Sequence, residues 1–174
     1  DREIPSPNAD EVKIKVHYAG ICGTDVHTYE GHYKVNFPVT LGHEFSGEVV
    51  ETGANVTDFK IGDRVTSETT YYICGECEYC QSGDYNLCNH RKGLGTQQNG
   101  GFTQYLVARA ASVHRIPDNV SYKAASMTEP LACAHHAVSK IEIQPDDVVV
   151  VMGPGPIGLL VAQVVKSKGA EVVI

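Results

Sequence analysis

Hydrophobic positions in the first part of the chain follow the two-residue period of β-strands. In residues 11–18, the apolar side chains of Val12, Ile14, Val16 and Tyr18 alternate with polar ones, which predicts a half-buried strand. Similar short segments, separated by turn residues, follow at 45–53, 59–66, 100–109 and 112–117. This arrangement predicts a mainly β barrel or sandwich over roughly residues 1–120.

The pattern changes after Ser121. An alanine-rich stretch predicts a helix with a break at Pro130, and Cys133 within it is expected to be a packed apolar residue. The apolar run at 147–152 is typical of a parallel strand covered on both faces. A helical stretch at 159–169 and a second strand at 171–174 follow. The last part of the chain therefore predicts a strand–turn–helix–strand unit of an α/β domain.

The turn of this unit has the spacing G-x-G-x-x-G, which is typical of dinucleotide-binding loops. Gly153 permits a tight turn, Gly155 lets the backbone approach a pyrophosphate, and Gly158 lets the helix pack closely on the strand. Pro156 and Ile157 open the helix, whose N-terminal N–H groups favour a phosphate. The acidic residue that binds the ribose comes about 20 residues after such a loop, so we expect the chain to be part of a longer protein.

Four of the six cysteines lie in one short segment, CGECEYCQSGDYNLC. Thiolates at this spacing can converge on one tetrahedral zinc ion, and a closed site of this kind organises a loop rather than performing chemistry. The clustering is too tight for a framework of disulfides spread over the chain. Reduced cysteines in a surface loop are the alternative. The predicted ligands are Cys74, Cys77, Cys80 and Cys88.

A second constellation comes from separated segments. Residues 20–27 (GICGTDVH) are expected to form a turn and contain Cys22, residues 41–47 (LGHEFSG) contain His43 and Glu44, and residues 128–138 (TEPLACAHHAV) contain Glu129. Cysteine, histidine and carboxylate drawn from distant segments are typical of a zinc site with an open position. Such an ion stabilises an alkoxide, and a dinucleotide beside it accepts hydride. The two together predict interconversion of an alcohol and a carbonyl compound.

These motifs resemble those of the zinc-dependent medium-chain alcohol dehydrogenases, and the resemblance covers essentially the whole chain. The segments that carry it are GICGTDVH, LGHEFSGEVVETG, CGECEYCQSGDYNLC, GGFTQYLV, EPLACAHHAV and VVVVMGPGPIGLL. The resemblance implies a mainly β GroES-like barrel catalytic domain over residues 1–140, with a structural-zinc lobe at about 72–90. Residues 141–174 are then the first βαβ part of a Rossmann NAD(P)-binding domain.

The resemblance also implies two zinc ions per chain. Cys22 and His43 correspond to catalytic-zinc ligands, and the four clustered cysteines to structural-zinc ligands. Glu129 stands where the better-known alcohol dehydrogenases have a second catalytic cysteine, as in the branch that contains the sorbitol, butanediol and threonine dehydrogenases. Glu44 is then a zinc ligand or a close neighbour, and Glu129 is the fourth ligand or holds a water. These alternatives remain open at this point.

The family's proton path implies roles for three more residues. Thr24 corresponds to the hydroxyl that takes the proton of the substrate alcohol, and His27 could pass that proton to solvent because a histidine exchanges protons near neutral pH. Asp25 corresponds to the carboxylate that orients His43. A water held with Glu129 is the alternative route for the proton.

The implied activity is oxidation of a secondary alcohol or polyol, similar to sorbitol or L-iditol, to the ketone, with NAD favoured over NADP. Butanediol and L-threonine 3-dehydrogenase activities are alternatives, and so is a non-catalytic zinc-binding fragment of such an enzyme. We expect the 174 residues alone to be inactive. A zinc-free quinone reductase would lack the metal-ligating set that is present here.

Charge and hydropathy limit the partners. The chain has 14 basic and 21 acidic residues and a net charge of −7, which argues against binding to nucleic acid or anionic membranes. No apolar run approaches the roughly 20 residues of a membrane span, and Asp1-Arg2-Glu3 opens nothing like a signal peptide. We expect a cytoplasmic protein with a small-molecule substrate that is a homodimer or homotetramer when full length.

Overall fold

The computed structural model describes residues 3–35 and 37–174. The chain divides into two compact units, Asp1–Met127 and Thr128–Ile174. The predicted domain boundary at residue 140 stays a prediction. In chain order the helices and strands are β1 (Glu11–Gly20), α1 (Gly23–Tyr29), β2 (Glu44–Thr52), β3 (Arg64–Ser67), β4 (Thr70–Tyr72), α2 (Glu78–Ser82), β5 (Lys92–Gly93), β6 (Tyr105–Arg109), β7 (Val113–Arg115), α3 (Tyr122–Ala125), α4 (Thr128–Ser139), β8 (Val148–Val150), α5 (Pro156–Ser167) and β9 (Glu171–Val173).

The first unit is built on a curled, antiparallel five-stranded sheet with the order β6-β1-β2-β3-β7. Its buried side chains form one hydrophobic core, which includes Val12 and Ile14 of β1, Phe45 and Val49 of β2, and Leu106 of β6. Val12 and Ile14 of β1 face inward, as the sequence predicts. The prediction of a mainly β domain is confirmed.

Strand β1 departs from the predicted alternation at its second half. Tyr18, predicted to face inward, is exposed. The pairing of β1 with β2 shifts register between Val16 and Tyr18, and such a bulge changes which face the following side chains occupy.

The predicted strand at 100–109 is regular only over β6. Before it, the backbone of Gly100, Gly101 and Phe102 donates hydrogen bonds to the segment at 40–42. A Cβ at Gly100 would lie 1.9 Å from the Gly42 carbonyl oxygen, so only glycine allows the two backbones to approach this closely. This crossing fixes the position of Gly42, the residue before His43. His43 belongs to the site described below.

The second unit contains a parallel pair, β8 and β9, joined by α5. The predicted strand–turn–helix–strand order is confirmed, and the helix begins at Pro156, the predicted helix start. Helices α4 and α5 pack together around a small core of Val138, Val164 and Val165. Within these 174 residues Val148 and Val150 of β8 are 62% and 65% exposed, and the expectation that β8 is covered on both faces in a longer protein stays a prediction. One helical layer covers only the face that carries Val149.

Two further expectations, which concern helix α4, are wrong. It runs through Pro130, the predicted break, because a proline in the first turn has no intrahelical N–H bond to lose. Cys133, expected to be packed, is exposed on this helix, with its Sγ 3.9 Å from a carboxylate oxygen of Glu129. Among the described residues, no helix is both long and apolar enough to cross a membrane.

Candidate metal and coenzyme sites

The segment that carries Cys22 and Asp25 begins helix α1 and is not the predicted turn. Cys22 is the N-cap, and a carboxylate oxygen of Asp25 accepts its backbone N–H at 2.9 Å. An acidic side chain at this position of a helix satisfies one of the N–H groups that have no intrahelical partner. The cap fixes the first turn, and with it the position of the Cys22 thiol.

Asp25 also reaches a distant part of the chain. Its second carboxylate oxygen accepts the backbone N–H of Gly42 at 3.0 Å and lies 3.7 Å from Nδ1 of His43. The side chain is buried. One carboxylate therefore joins the backbone of Cys22 to the residue before His43. Asp25 lies beside His43, but its hydrogen bonds go to the two backbone segments, and its role in orienting His43 stays a prediction.

His43 is held by the backbone that precedes it. Gly42 has φ +91°, a conformation that favours glycine, and a Cβ there would lie 2.5 Å from the ring of Phe102. The carbonyl of Gly42 accepts the N–H of Gly101 at 2.7 Å. These contacts fix the entry into β2 and bury the imidazole of His43.

Glu44 opens β2 directly opposite Gly20 of β1. A Cβ at Gly20 would lie 2.3 Å from Oε2 of Glu44, so the glycine provides the space that the carboxylate occupies. Burial raises the pKa of Glu44 above its ordinary value; His43 acts in the opposite direction, and the negative Asp25 adds to the increase. A buried carboxylate beside a thiol and an imidazole is stabilised in its charged form by a cation.

The structure brings Cys22, His43 and Glu44 together, with one ligand atom of each within 4.8 Å of the others. Thiolate, imidazole and carboxylate are all zinc ligands, so this donor set fits a zinc ion that keeps an open position. The hydroxyl of Thr24 lies 3.7 Å from the Cys22 sulfur, and His27 is exposed one helical turn further along α1. Glu129 belongs to the second unit, and its part in the site stays a prediction.

The four clustered cysteines converge in the first unit around the short helix α2. The Sγ–Sγ distances are 4.0 Å from Cys74 to Cys80, 3.6 Å from Cys77 to Cys80, and 3.6 Å from Cys88 to Cys74. Zinc–sulfur bonds of about 2.3 Å in a tetrahedron place sulfurs about 3.8 Å apart. The geometry therefore fits one closed zinc site.

Backbone N–H groups point at these sulfurs. Hydrogen bonding from the backbone of Cys80 lowers the pKa of Cys77 to about 6, and the backbone of Cys74 lowers the pKa of Cys88. Burial raises the pKa of Cys80 to about 12, so Cys77 and Cys80, whose sulfurs are neighbours, favour opposite charge states. A central divalent ion resolves this opposition because metal coordination deprotonates a thiol.

The glycine loop of the second unit leaves open space beside the backbone at the N-terminus of α5. Gly153 has φ +104°, and a Cβ at Gly158 would lie 1.9 Å from the Gly153 carbonyl oxygen. At Gly155, the N-cap of α5, a Cβ would meet nothing within 4 Å, so the space beside the backbone is open. Pro156 and Ile157 then begin the helix. An open N-terminus of this kind fits the pyrophosphate of a dinucleotide.

The sequence predicted the side chains that converge at the two candidate metal sites in the first unit but not the contacts that hold them there. Gly20 and Gly42 each make room for a neighbouring group, and Asp25 joins two backbone segments. The spacing of Asp25 three residues after Cys22 is a capping-box signal that could have indicated the helix. The role of Gly20 depends on strand register, which the sequence does not state.

Comparison with known proteins defines the class. Residues 8–118 match the family described as the alcohol dehydrogenase GroES-like domain, so this chain belongs to that family. Its fold and its motifs are those of the zinc-dependent medium-chain dehydrogenases, as the sequence predicts. The chain spans about half the length of the curated relatives it matches.

Three similar proteins illustrate the branch. A sorbitol dehydrogenase from Halalkalibacterium halodurans is 65% identical over 98% of this chain and 50% of its own. A D-arabitol-phosphate dehydrogenase from Enterococcus avium is 56% identical over 100% of this chain and 50% of its own. The crystal structure of a proposed zinc-binding dehydrogenase from Sinorhizobium meliloti bound to NADP superimposes with a TM-score of 0.92 at 39% identity, covering 97% of this chain and 49% of that one.

Proposed function

We propose that the protein containing this chain is a zinc-dependent, NAD(P)-linked dehydrogenase that oxidises a secondary alcohol of a polyol to the ketone. The observation that carries the proposal is the convergence of Cys22, His43 and Glu44, whose ligand atoms lie within 4.8 Å of one another. The glycine loop at 153–158 supports a dinucleotide in the same protein. Similarity to the H. halodurans enzyme favours sorbitol or a related polyol as substrate.

The residues of this chain would hold the reactants and move the proton. When bound, zinc would polarise the substrate oxygen, and the oxidised nicotinamide would accept a hydride from the carbon that bears it. The Thr24 hydroxyl, next to the Cys22 sulfur, would accept the alcohol proton while giving up its own, and exposed His27 would release one proton to solvent. The carbon–hydrogen and oxygen–hydrogen bonds break, and ketone, reduced coenzyme and one proton result.

Asp25 and the two carboxylates have supporting parts in this proposal. Asp25 would keep the segments of Cys22 and His43 at ligating distance. Glu44 would bind the ion directly, which its burial beside His43 and Cys22 favours. Glu129 would complete the coordination or hold a water that carries the proton in place of Thr24. Two zinc ions per chain and a preference for NAD over NADP complete the proposal.

A phosphorylated polyol is a second candidate substrate, because the relative from E. avium is 56% identical and is named for D-arabitol phosphate. Butanediol and L-threonine remain further candidates. A homodimer or homotetramer in the cytoplasm, the expectation from the family resemblance, also remains part of the proposal.

The test is a substrate screen with the full-length, zinc-loaded protein. Sorbitol, xylitol, arabitol phosphate, 2,3-butanediol and L-threonine are each supplied with NAD or NADP, and reduced coenzyme is followed by absorbance. We expect the fastest turnover with an unphosphorylated polyol and NAD, and loss of turnover in Cys22→Ser. Absence of turnover with every substrate would refute the dehydrogenase proposal and favour a non-catalytic zinc-binding role.

A further inference from the structure

The C-terminal end of helix α1 carries another group of side chains that can bind metal. His27, Glu30 and His32 each offer one ligand atom within 4.8 Å of the others. Oε2 of Glu30 lies 3.9 Å from Nδ1 of His27 and 3.4 Å from Nδ1 of His32. The carboxylate therefore faces both imidazoles. None of the three belongs to the two proposed zinc sites.

The backbone folds so that the three side chains meet. Helix α1 ends at Tyr29, Glu30 is its C-cap, and Gly31 follows with φ +81°. The chain then turns back, and the N–H groups of His32 and Tyr33 both donate to the carbonyl of His27, at 2.8 and 3.0 Å. A left-handed residue at this place is the usual way to reverse a chain after a helix. His32 is thereby fixed over the last turn.

The ligand set suits a borderline divalent cation. Two imidazoles and one carboxylate are ligands of zinc, and imidazole also suits nickel and copper. Zinc bonds of about 2.0–2.1 Å to nitrogen and oxygen place tetrahedral ligands about 3.3–3.4 Å apart. The distance of 3.4 Å between Glu30 and His32 already has this value, and the distance of 3.9 Å between Glu30 and His27 is about 0.5 Å longer. Side chains that are 64%, 49% and 71% exposed can make this adjustment without repacking the core.

We propose that His27, Glu30 and His32 form a third divalent-metal site, which takes Zn²⁺ from solvent and leaves the remaining coordination positions to water. Its exposure makes it a site that exchanges metal with the medium, in contrast to the buried donors at His43 and Glu44. The proposal stands on the geometry of these three residues and does not depend on the reaction.

The site has one consequence that rests on the proposed function. A cation bound by Nδ1 of His27 takes this ring nitrogen out of proton exchange, and His27 is the candidate that passes the substrate proton to solvent. Zinc at concentrations that fill the third site should therefore slow polyol oxidation. His32→Ala should reduce this inhibition while leaving turnover without added zinc unchanged, because His32 has no part in the proposed proton path.

The direct test counts metal, so it is independent of turnover. Full-length protein with its tightly bound zinc is dialysed against rising free Zn²⁺, and bound metal is measured by mass spectrometry. We expect about two zinc per chain at low free zinc and a third that appears on titration. The double variant Glu30→Gln, His32→Ala should lose the third and keep the first two. Circular dichroism checks that these exposed substitutions leave the fold intact.

His114→Ala is the matched control. His114 is also exposed and lies 3.2 Å from a carboxylate, that of Glu68, but the pair supplies only two ligands. This variant should keep the third zinc. Absence of a third zinc in the native protein, or its persistence in the double variant, would overturn the site while leaving dehydrogenase activity intact. Equal zinc inhibition of native protein and His32→Ala would overturn the proposed consequence for His27.

Discussion

Replacement of Asp25 by asparagine tests whether one buried carboxylate holds the segments of Cys22 and His43 together. The asparagine side chain would keep the shape of the aspartate but replace one carboxylate oxygen by an NH₂ group. Because the two oxygens accept the N–H groups of Cys22 and Gly42, one of these donors would then face another donor. The substitution removes the negative charge as well.

The magnitude follows from these two contacts. A hydrogen bond to a charged group contributes about 1.5–3 kcal/mol, and a buried donor left without a partner costs about 1–3 kcal/mol. Asp25→Asn should therefore lower the free energy of unfolding by about 2.5–6 kcal/mol. This is a large share of the roughly 5–15 kcal/mol that is typical of a domain. With a typical urea slope of about 2 kcal/mol per M, the midpoint should fall by about 1–3 M.

Tyrosine fluorescence is the appropriate assay. The chain has no tryptophan, and its nine tyrosines all precede residue 128, so the signal reports the unit that contains Asp25. Measurements are made with zinc in excess so that loss of metal does not add to the effect. Asp10→Asn is the control, because Asp10 is exposed and its carboxylate accepts the side-chain amide of Asn55, so stability should change by about 0.5 kcal/mol or less. Equal effects of the two substitutions would refute the reasoning.

The remaining predictions concern the sulfurs, the strand contact of Glu44 and one tyrosine. Cys77→Ser should lower thermal stability and remove one zinc, since it breaks the closed site; unchanged zinc content by metal analysis would contradict this. Cys22→Ser should abolish turnover with little change in circular dichroism, and a loss of folding equal to that of Cys77→Ser would argue against separate roles. Gly20→Ala should displace the Glu44 carboxylate and weaken catalytic zinc binding in a chelator competition; native affinity would show that the carboxylate does not need this position. Burial and the hydrogen bond to Glu11 raise the pKa of Tyr71 to about 12, so the unfolded chain loses this proton first and stability should fall between pH 10 and 12. Tyr71→Phe should show a smaller fall over that range in urea titrations, and an identical pH profile would contradict the assignment.

Local pattern was sufficient for much of the fold. The alternation of Val12 and Ile14 predicted the core face of β1, and the glycine loop with its apolar flanks predicted a parallel unit. The prediction of a turn at 20–27 is wrong. The segment is polar and contains glycine, but Asp25 caps the N-terminus of a helix that begins at Gly23. Tyr18 is exposed because of a bulge, which depends on pairing with β2.

The candidate site shows the same division between local and distant causes. Residue types and spacing indicated Cys22, His43, Glu44 and the four lobe cysteines. The arrangement that places them depends on contacts between distant segments, such as Gly100 against Gly42 and Gly20 against Glu44. The group at His27, Glu30 and His32 forms only when Gly31 reverses the chain. Such contacts are properties of the folded backbone.

Anomalous X-ray diffraction at the zinc edge, from crystals of the full-length protein grown without added zinc, tests the central claim most directly. We predict two strong peaks per chain. One should have the four lobe sulfurs about 2.3 Å away, and the other should lie about 2.3 Å from the Cys22 sulfur and about 2.0–2.1 Å from a nitrogen of His43. A peak in the lobe alone, with no zinc in bonding contact with Cys22 and His43, would contradict the account.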